Sequence, residues 1–234
     1  MIASELSISI IIPTLNEEKN IGKLVKFINK HGGEKVKEII VSDAESTDNT
    51  IKEAEEAGAF VIHNLKKSRA TQMNAGAFVA QGEIFYFVHA DVFPPESFAN
   101  DILEAVAQGF KMGAYRSRFE EDNSKMKFNA WMTRFKLLYC RGGDQTLFVT
   151  RKHFQELNGF DESFVIMEDY DIIQRSWFNN KFKVFDKAAF ISTRKYNTNS
   201  FLRVNFANFW VFVLYFAGAK PERMAATYKK LLTY

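Results

Sequence analysis

Asp91 stands where a carboxylate can do chemistry. It follows the apolar and aromatic run Ile84-Phe85-Tyr86-Phe87-Val88 through His89 and Ala90, and Pro94 and Pro95 close the segment. An uninterrupted run of this kind reads as a strand buried on both faces inside a parallel sheet, and paired prolines stop it. Ligands of open α/β sheets bind just beyond the carboxyl ends of the strands. Asp91 is therefore placed to hold a divalent metal or a sugar hydroxyl. As a lone residue it would serve equally well to cap the helix expected near Pro95.

Two more strand ends carry the same chemistry. Asn16 and Glu17 follow Pro13 at the end of Ser7 to Pro13, and Asp43 follows the strand Val36 to Val41. Three polar clusters at equivalent strand ends are harder to explain as caps than one. Far downstream, Glu168, Asp169 and Asp171 open a helix expected to run to about Phe178, where acids also complement the helix dipole. Asp144 and Gln145 follow Gly142-Gly143, a pair that lets backbone approach a ligand closely, or a simple turn.

The elements that must position these groups alternate. Strand Ser7–Pro13 leads to a helix with Ile21, Leu24, Val25 and Ile28 on one face. Strand 36–41 leads to a helix from Thr50 to Ala57 closed by Gly58. Strand Ala59–His63 leads to a helix from Ser68 to Ala80, and the strand ending at Asp91 comes next. This order predicts a mostly parallel, doubly wound α/β sheet flanked by helices. Past Pro95 the alternation breaks into a helix (96–107), a strand (112–119), a helix (123–139), a strand (146–149), a short helix, the 168–178 helix and a last strand (182–191). One domain over 1–234 is expected, with C-terminal helices at 199–234.

Composition narrows the function. Hydrophobic content of 47% and charged content of 25% are ordinary for a soluble globular chain. The 24 phenylalanines are expected to serve mostly in the core. A net charge of +3, without basic runs, argues against a nucleic-acid partner. Cys140 is the single cysteine, which excludes an intrachain disulfide and a cysteine zinc site and suits a reducing cytoplasm. Met1 to Leu6 lacks a signal-like pattern. Neither a Gly-x-Gly-x-x-Gly nor a phosphate-binding Gly-Lys-Ser/Thr loop follows a strand, which lowers the odds of dinucleotide or nucleotide-triphosphatase chemistry.

Taken together, Ile11-Ile12-Pro13-Thr14-Leu15-Asn16-Glu17-Glu18, Ser42-Asp43-Ala44-Glu45-Ser46-Thr47-Asp48-Asn49-Thr50, the Arg69–Gly76 segment, His89-Ala90-Asp91 and Glu168-Asp169 resemble the ordered motifs of family 2 glycosyltransferases of the GT-A fold. The resemblance covers about Ser7 to Lys195 and implies a nucleotide-binding half at 1–95 and an acceptor and catalytic half at 96–198. His-Ala-Asp in place of Asp-x-Asp is similar to a bacterial subgroup of that family. The resemblance implies an inverting transfer of a sugar from a nucleotide-diphosphate sugar to an acceptor hydroxyl, assisted by Mn²⁺ or Mg²⁺. It places Pro13, Asn16, Glu17 and Asp43 around the nucleotide, with Asp43 accepting a base N–H in a way that favours a UDP-sugar. Arg69 would meet the diphosphate with its planar fork, or remain a solvated cation beside Lys66 and Lys67. Asn74, His89 and Ala90 would line the donor, His89 at the ribose, and Asp91 would be the metal carboxylate. Asp144 and Glu168 would lie near the sugar and acceptor, and Asp169 would be the base. Arg194 and Lys195 would screen the diphosphate, or simply end a surface strand.

The strongly apolar segment 201–216 is too short and too charged to span a membrane. A core helix is the favoured reading, beside an oligomer contact or a helix lying in a membrane surface, which a lipid-linked acceptor would favour. The expected location is cytoplasmic, at the inner membrane face under the last reading. Two other functions are weighed. A nucleotidyltransferase would need a Gly-, Arg- and Lys-bearing loop where Pro13 to Asn20 has no glycine. A non-catalytic nucleotide-sugar binding protein would have no need of Glu168-Asp169.

Overall fold

A computed structural model describes residues 6–119, 124–141, 145–177, 182–193, 196 and 198–233. Its centre is β1, Ile8–Thr14, every residue of which is buried. Side chains alternate across a strand, so Ile8, Ile10 and Ile12 join one hydrophobic cluster while Ile11 joins the other. Burying one such side chain contributes roughly 1.5–3 kcal/mol. This is why a continuous apolar run selects the middle of a two-sided sheet.

Eight strands form that sheet in the order β3-β2-β1-β4-β7-β6-β8-β5. These are β2 (Val36–Asp43), β3 (Phe60–His63), β4 (Ile84–Phe87), β5 (Val92–Phe93), β6 (Met112–Phe119), β7 (Leu147–Thr150) and β8 (Phe182–Ile191). Strands β1 to β4 pair in parallel, as expected. β7 runs antiparallel to both β4 and β6, while β6 and β8 are parallel. One layer of helices holds α1 (Ile21–Gly32), α2 (Thr50–Glu56) and α4 (Phe98–Ala107), whose Ile21, Leu24, Ala54, Phe98 and Ile102 share the first cluster. The opposite layer holds α3 (Arg69–Val79), α6 (Arg151–Glu156) and α7 (Glu168–Trp177), through Met73, Phe154 and Ile172. Between them in sequence, α5 covers Ser124–Met132.

Parallel register brings the polar strand ends to one edge. Thr14 lies opposite Asp43, and Asp43 opposite His63. The chain leaves β4 through a turn closed by Val92 N donating to His89 O at 3.0 Å. β5 then pairs with the end of β8, Val92 opposite Ile191. A two-residue strand in front of two prolines leaves no periodicity to read, so this pairing is absent from the sequence expectation.

Three expectations need correction. The helix expected over 123–139 stops at Met132. Arg141 Nη2 donates to the carbonyl oxygens of both Thr133 and Phe135, and Thr133 Oγ donates to Ala130 O at 2.6 Å. The carbonyls that a further turn would use are thereby captured, and the chain continues into a short 3₁₀ turn at Leu138–Cys140. Second, the phenylalanines are not uniformly core: eight are buried in the two clusters and four more pack against the first, but Phe78 is 89% exposed, Phe128 60% and Phe209 60%.

Third, segment 201–216 does form a helix, α8 (Phe201–Phe216), but it is not a core helix. Only Val204, Ala207 and Val211 on it are buried. It packs against α9 (Pro221–Leu231) around a small cluster that includes Leu232. Leu202, Phe206, Phe209, Val213 and Phe216 are left outward. The reason is spacing: these five recur at alternating steps of four and three and share one helix face, opposite the buried one.

Candidate active site

A cavity of about 1010 Å³ opens at the carboxyl edge of the sheet. Its wall at the strand ends includes Pro13, Thr14, Leu15, Glu17, Arg69, Gln72, His89, Ala90 and Asp91. The far wall is built by α5, α8 and α9 and includes Asn129, Tyr139, Arg141, Asn208, Phe212 and Tyr228. A space of this size is at the upper end of the range for small-molecule sites.

The loops at the sheet edge are tied to one another. Asn16 adopts φ 56°, a left-handed conformation that asparagine tolerates well. Its N–H donates to Ser46 Oγ at 2.8 Å and its Oδ1 accepts from Thr47 N at 2.9 Å. Asn16 therefore clasps the acidic loop and does not itself line the cavity. Asp43 is fully buried. Its Oδ1 accepts from Ser46 N at 2.8 Å, and its Oδ2 accepts from Thr14 Oγ at 3.0 Å and from Ser46 Oγ at 2.5 Å. Both oxygens are already engaged, so this geometry does not support Asp43 as acceptor for a base N–H; Ser46, three residues on, competes for the same lone pairs.

Asn74 is likewise turned away from the cavity. Its amide makes a reciprocal pair with the Phe160 backbone, donating to Phe160 O at 2.9 Å and accepting from Phe160 N at 2.9 Å, and it donates to Glu162 Oε1 at 3.1 Å. Asn74 clamps the loop ahead of α7. Asp144, Arg194 and Lys195 lie outside the described residues.

The remaining residues converge. Arg69 Nε lies 2.7 Å from Glu168 Oε1, an ion-pair contact off the hydrogen-bond axis, with Glu168 1% exposed and Arg69 41% exposed. Burial raises the pKa of Glu168, and Arg69 opposes that rise. His89 Nε2 lies 3.6 Å from Asp169 Oδ2. Burial pulls the imidazole's pKa down, but the Asp169 carboxylate, with Asp91 adding, outweighs it and leaves it raised. Asp169 is 5% exposed, and its Oδ2 has no hydrogen-bond partner. Glu168 and Asp169 sit behind the wall that Met167, Tyr170, Arg69 and His89 form.

Sequence reasoning missed two contributors. Met167 has φ 71°, a strained conformation for an unbranched bulky residue, and it immediately precedes the Glu-Asp pair. Its carbonyl accepts from Asp171 N at 2.9 Å, so the strained residue starts α7 and aims the pair inward. Gln72, three residues after Arg69 and hence on the same helix face, is 3% exposed. Its Nε2 donates to Thr14 O at 2.8 Å and Ser42 O at 2.6 Å, fixing α3 to the ends of β1 and β2. A glutamine on the sheet-facing side of a helix was the available signal.

The model of Glycosyl transferase family 2 matches residues 9–181, the span that builds the sheet and the Glu-Asp pair. The chain belongs to glycosyl transferase family 2. A dolichyl N-acetyl-alpha-D-glucosaminyl phosphate 3-beta-D-2,3-diacetamido-2,3-dideoxy-beta-D-glucuronosyltransferase of Methanococcus voltae is 35% identical over 105 residues, 42% of this chain and 33% of its own length. A glucosyl-3-phosphoglycerate synthase of Mycolicibacterium smegmatis is 31% identical over 98 residues, 38% of this chain and 32% of its own. The match thus spans about a third of the length of these curated relatives.

Solved structures agree on the fold. The mannosyltransferase PcManGT of Pyrobaculum calidifontis, in complex with GDP-Man and Mn²⁺, superposes with TM-score 0.70 at 17% identity, covering 98% of this chain and 70% of that one. S. aureus TarS 1-349 in complex with UDP-GlcNAc gives 0.68 at 18%, covering 95% and 69%. The fold is GT-A, as the motif order implied. Among the described residues, no helix is long and apolar enough to cross a membrane.

Proposed function

We propose that this family 2 chain is an inverting glycosyltransferase that moves a sugar from a nucleotide-diphosphate sugar, a UDP-sugar by preference, to an acceptor hydroxyl. The observation that carries the reading is the buried Asp169 carboxylate, whose Oδ2 has no hydrogen-bond partner and faces His89 on the cavity wall. Inversion is a single displacement, so one group must take the acceptor proton as the diphosphate departs. Asp169 is that base. Its Oδ2 pairs with His89 Nε2 at 3.6 Å, and its approach from the cavity is past that imidazole. Arg69, paired with Glu168 and partly exposed on the cavity wall, brings its guanidinium charge to the diphosphate. The base edge would be met by the Pro13–Leu15 loop, which lines the cavity, since the Asp43 carboxylate is bonded within the strand ends and the acidic loop.

The donor set fits a divalent metal shared with the substrate. Among the described residues no group of three or more His, Cys, Asp or Glu could hold an ion by itself. Mg²⁺ and Mn²⁺ commonly take one or two carboxylates and complete their shell with phosphate oxygens, and of the two carboxylates on the cavity wall, Glu17 and Asp91, Asp91 is the one that follows β4. When bound, the ion would supply charge stabilisation to the leaving diphosphate. Calorimetric titration of UDP tests the assignment: Asp91→Ala should weaken binding strongly in Mn²⁺ and little in chelator. Equal affinities for both proteins in Mn²⁺ would remove Asp91 from the metal.

A further inference from the structure

Arg141 carries a charge that no carboxylate among the described residues neutralises. It lies on the far wall of the cavity, 3% exposed. Its Nη2 is occupied by the Thr133 and Phe135 carbonyls, but Nε and Nη1 are buried without a partner, and no carboxylate pairs with it among the described residues. Arg116 is close enough to repel it, and its own Nη2 is engaged by the exposed Asp186. Burial, with Arg116 adding and Cys140 opposing, lowers the Arg141 guanidinium only to about 10, so it is cationic at neutral pH. A buried, unpaired cation with two idle donors is costly. Retaining it on a cavity wall is explained by a ligand that brings the missing anion.

We propose that the acceptor lobe contains an anion subsite at Arg141, which binds a carboxylate or phosphate group of the acceptor by charge and by single hydrogen bonds from Nε or Nη1. Nε–H shares its edge of the planar guanidinium with the occupied Nη2 and Nη1 faces the other edge, so each idle donor offers one hydrogen bond and not a two-point fork. The rest of the lobe, with Asn129, Asn208, Tyr228 and Phe212, offers amides and ring faces suited to the remainder of a hydroxylated molecule. The role as acceptor site rests on the glycosyltransferase reading; the anion site itself does not.

The probes are inorganic phosphate, glycerate and neutral glycerol, titrated calorimetrically into wild type, Arg141→Gln and Arg69→Gln. Glutamine keeps an amide to serve the Thr133 and Phe135 carbonyls while removing the charge, and unchanged thermal melting verifies the fold. Expected are binding of both anions but not glycerol to wild type, at least tenfold weaker binding to R141Q, and retention in R69Q. Arg141→Lys, which keeps the charge but not the planar donor set, should bind at an intermediate level and covers the case in which R141Q melts early. Phosphatidic acid micelles in place of phosphate show whether the anion can be carried on a lipid, again with loss in R141Q. Failure of wild type to bind any of these anions, or equal binding by R141Q, overturns the subsite. If UDP fails to bind while the anions still do, the donor reading falls and the subsite stands.

A separate observation concerns the outer surface. Leu202 (73% exposed), Phe206, Phe209, Trp210, Val213 and Phe216 leave α8 with a continuous apolar face, and Tyr139 extends it, its ring centroid 5.5 Å from that of Phe216. Residues 199–234 hold five basic side chains against the single acid Glu222, a net of +4 in a chain whose total is +3. The positive charge is therefore concentrated in the hairpin that bears the apolar face. We infer that α8 and α9 dock on an anionic bilayer, with the aromatic side chains inserted and Lys220, Arg223, Lys229 and Lys230 near the headgroups. Wild type should co-sediment with phosphatidylglycerol/phosphatidylcholine vesicles, less so with phosphatidylcholine alone or in high salt, and Phe206→Ser/Phe209→Ser should not. Absence of vesicle binding by wild type, or a wild-type dimer in analytical ultracentrifugation that the double variant splits, overturns the bilayer assignment.

Discussion

Asn74→Ala separates a donor contact from a scaffold contact. The amide makes two 2.9 Å hydrogen bonds with the backbone of Phe160, a residue 2% exposed, and a third to Glu162. Each buried hydrogen bond contributes on the order of 1 kcal/mol net, and groups left unpaired cost about 1–3 kcal/mol. Removing the reciprocal pair should therefore destabilise by about 2 kcal/mol. For a chain of this size each kcal/mol moves Tm by roughly 2–4 °C, so a fall of about 4–8 °C is expected. Urea unfolding, with an unchanged slope, measures the loss, and titration of UDP on the folded variant should give an affinity within about twofold of wild type. Wild-type stability together with a large loss of UDP affinity would refute the reasoning and return Asn74 to the donor site.

Two further predictions test how the sheet edge is held. At Gly76 an added Cβ would lie 2.5 Å from Ile11 Cγ2, so Gly76→Ala should force α3 off β1 and destabilise by about 1–3 kcal/mol in denaturant unfolding. Asp48 accepts from Thr50 N at 3.0 Å, from Thr50 Oγ at 2.5 Å and from Glu18 N at 3.2 Å. Burial raises its pKa slightly, but these hydrogen bonds outweigh that and leave it below 3.8. A depressed carboxylate stabilises in full above its unfolded value and loses that contribution as pH falls through the folded one. Asp48→Ala should therefore melt below wild type at pH 7, with the gap closing as the pH drops below 3.8; a gap constant down to pH 2.5 would show that the charge contributes nothing.

Much of the fold was legible because the first half of the chain obeys one rule. Continuous apolar runs alternate with helical spacing, and each run ends in a polar loop, so β1 to β4 and the sites at their ends follow from periodicity. Tertiary capture decided the rest. Nothing local announces that Arg141 takes the carbonyls of Thr133 and Phe135 and ends α5, because the arginine is eight and six residues away. Within the site, His89, Asp91 and Arg69 lie on the cavity wall, with Glu168 and Asp169 behind it. Asn16, Asp43 and Asn74 do not face the cavity. In each case the amide or carboxylate found partners within or between loops, and residue type alone does not tell a ligand contact from a loop clasp. Segment 201–216 misled for a related reason: its apolar residues occupy both faces of the helix, and composition does not say which face is covered.

The central claim is that Asp169 takes the acceptor proton. Its most direct test is single-turnover sugar transfer by Asp169→Asn beside calorimetric UDP binding in Mn²⁺, once nucleotide-sugar and acceptor panels have identified a substrate pair. A positioned base contributes about 10²–10⁴-fold. Transfer should therefore fall by that factor in D169N while UDP affinity stays at the wild-type level. Turnover within a few-fold of wild type in a folded D169N protein would contradict the account and move the base to Asp171 or Asp144.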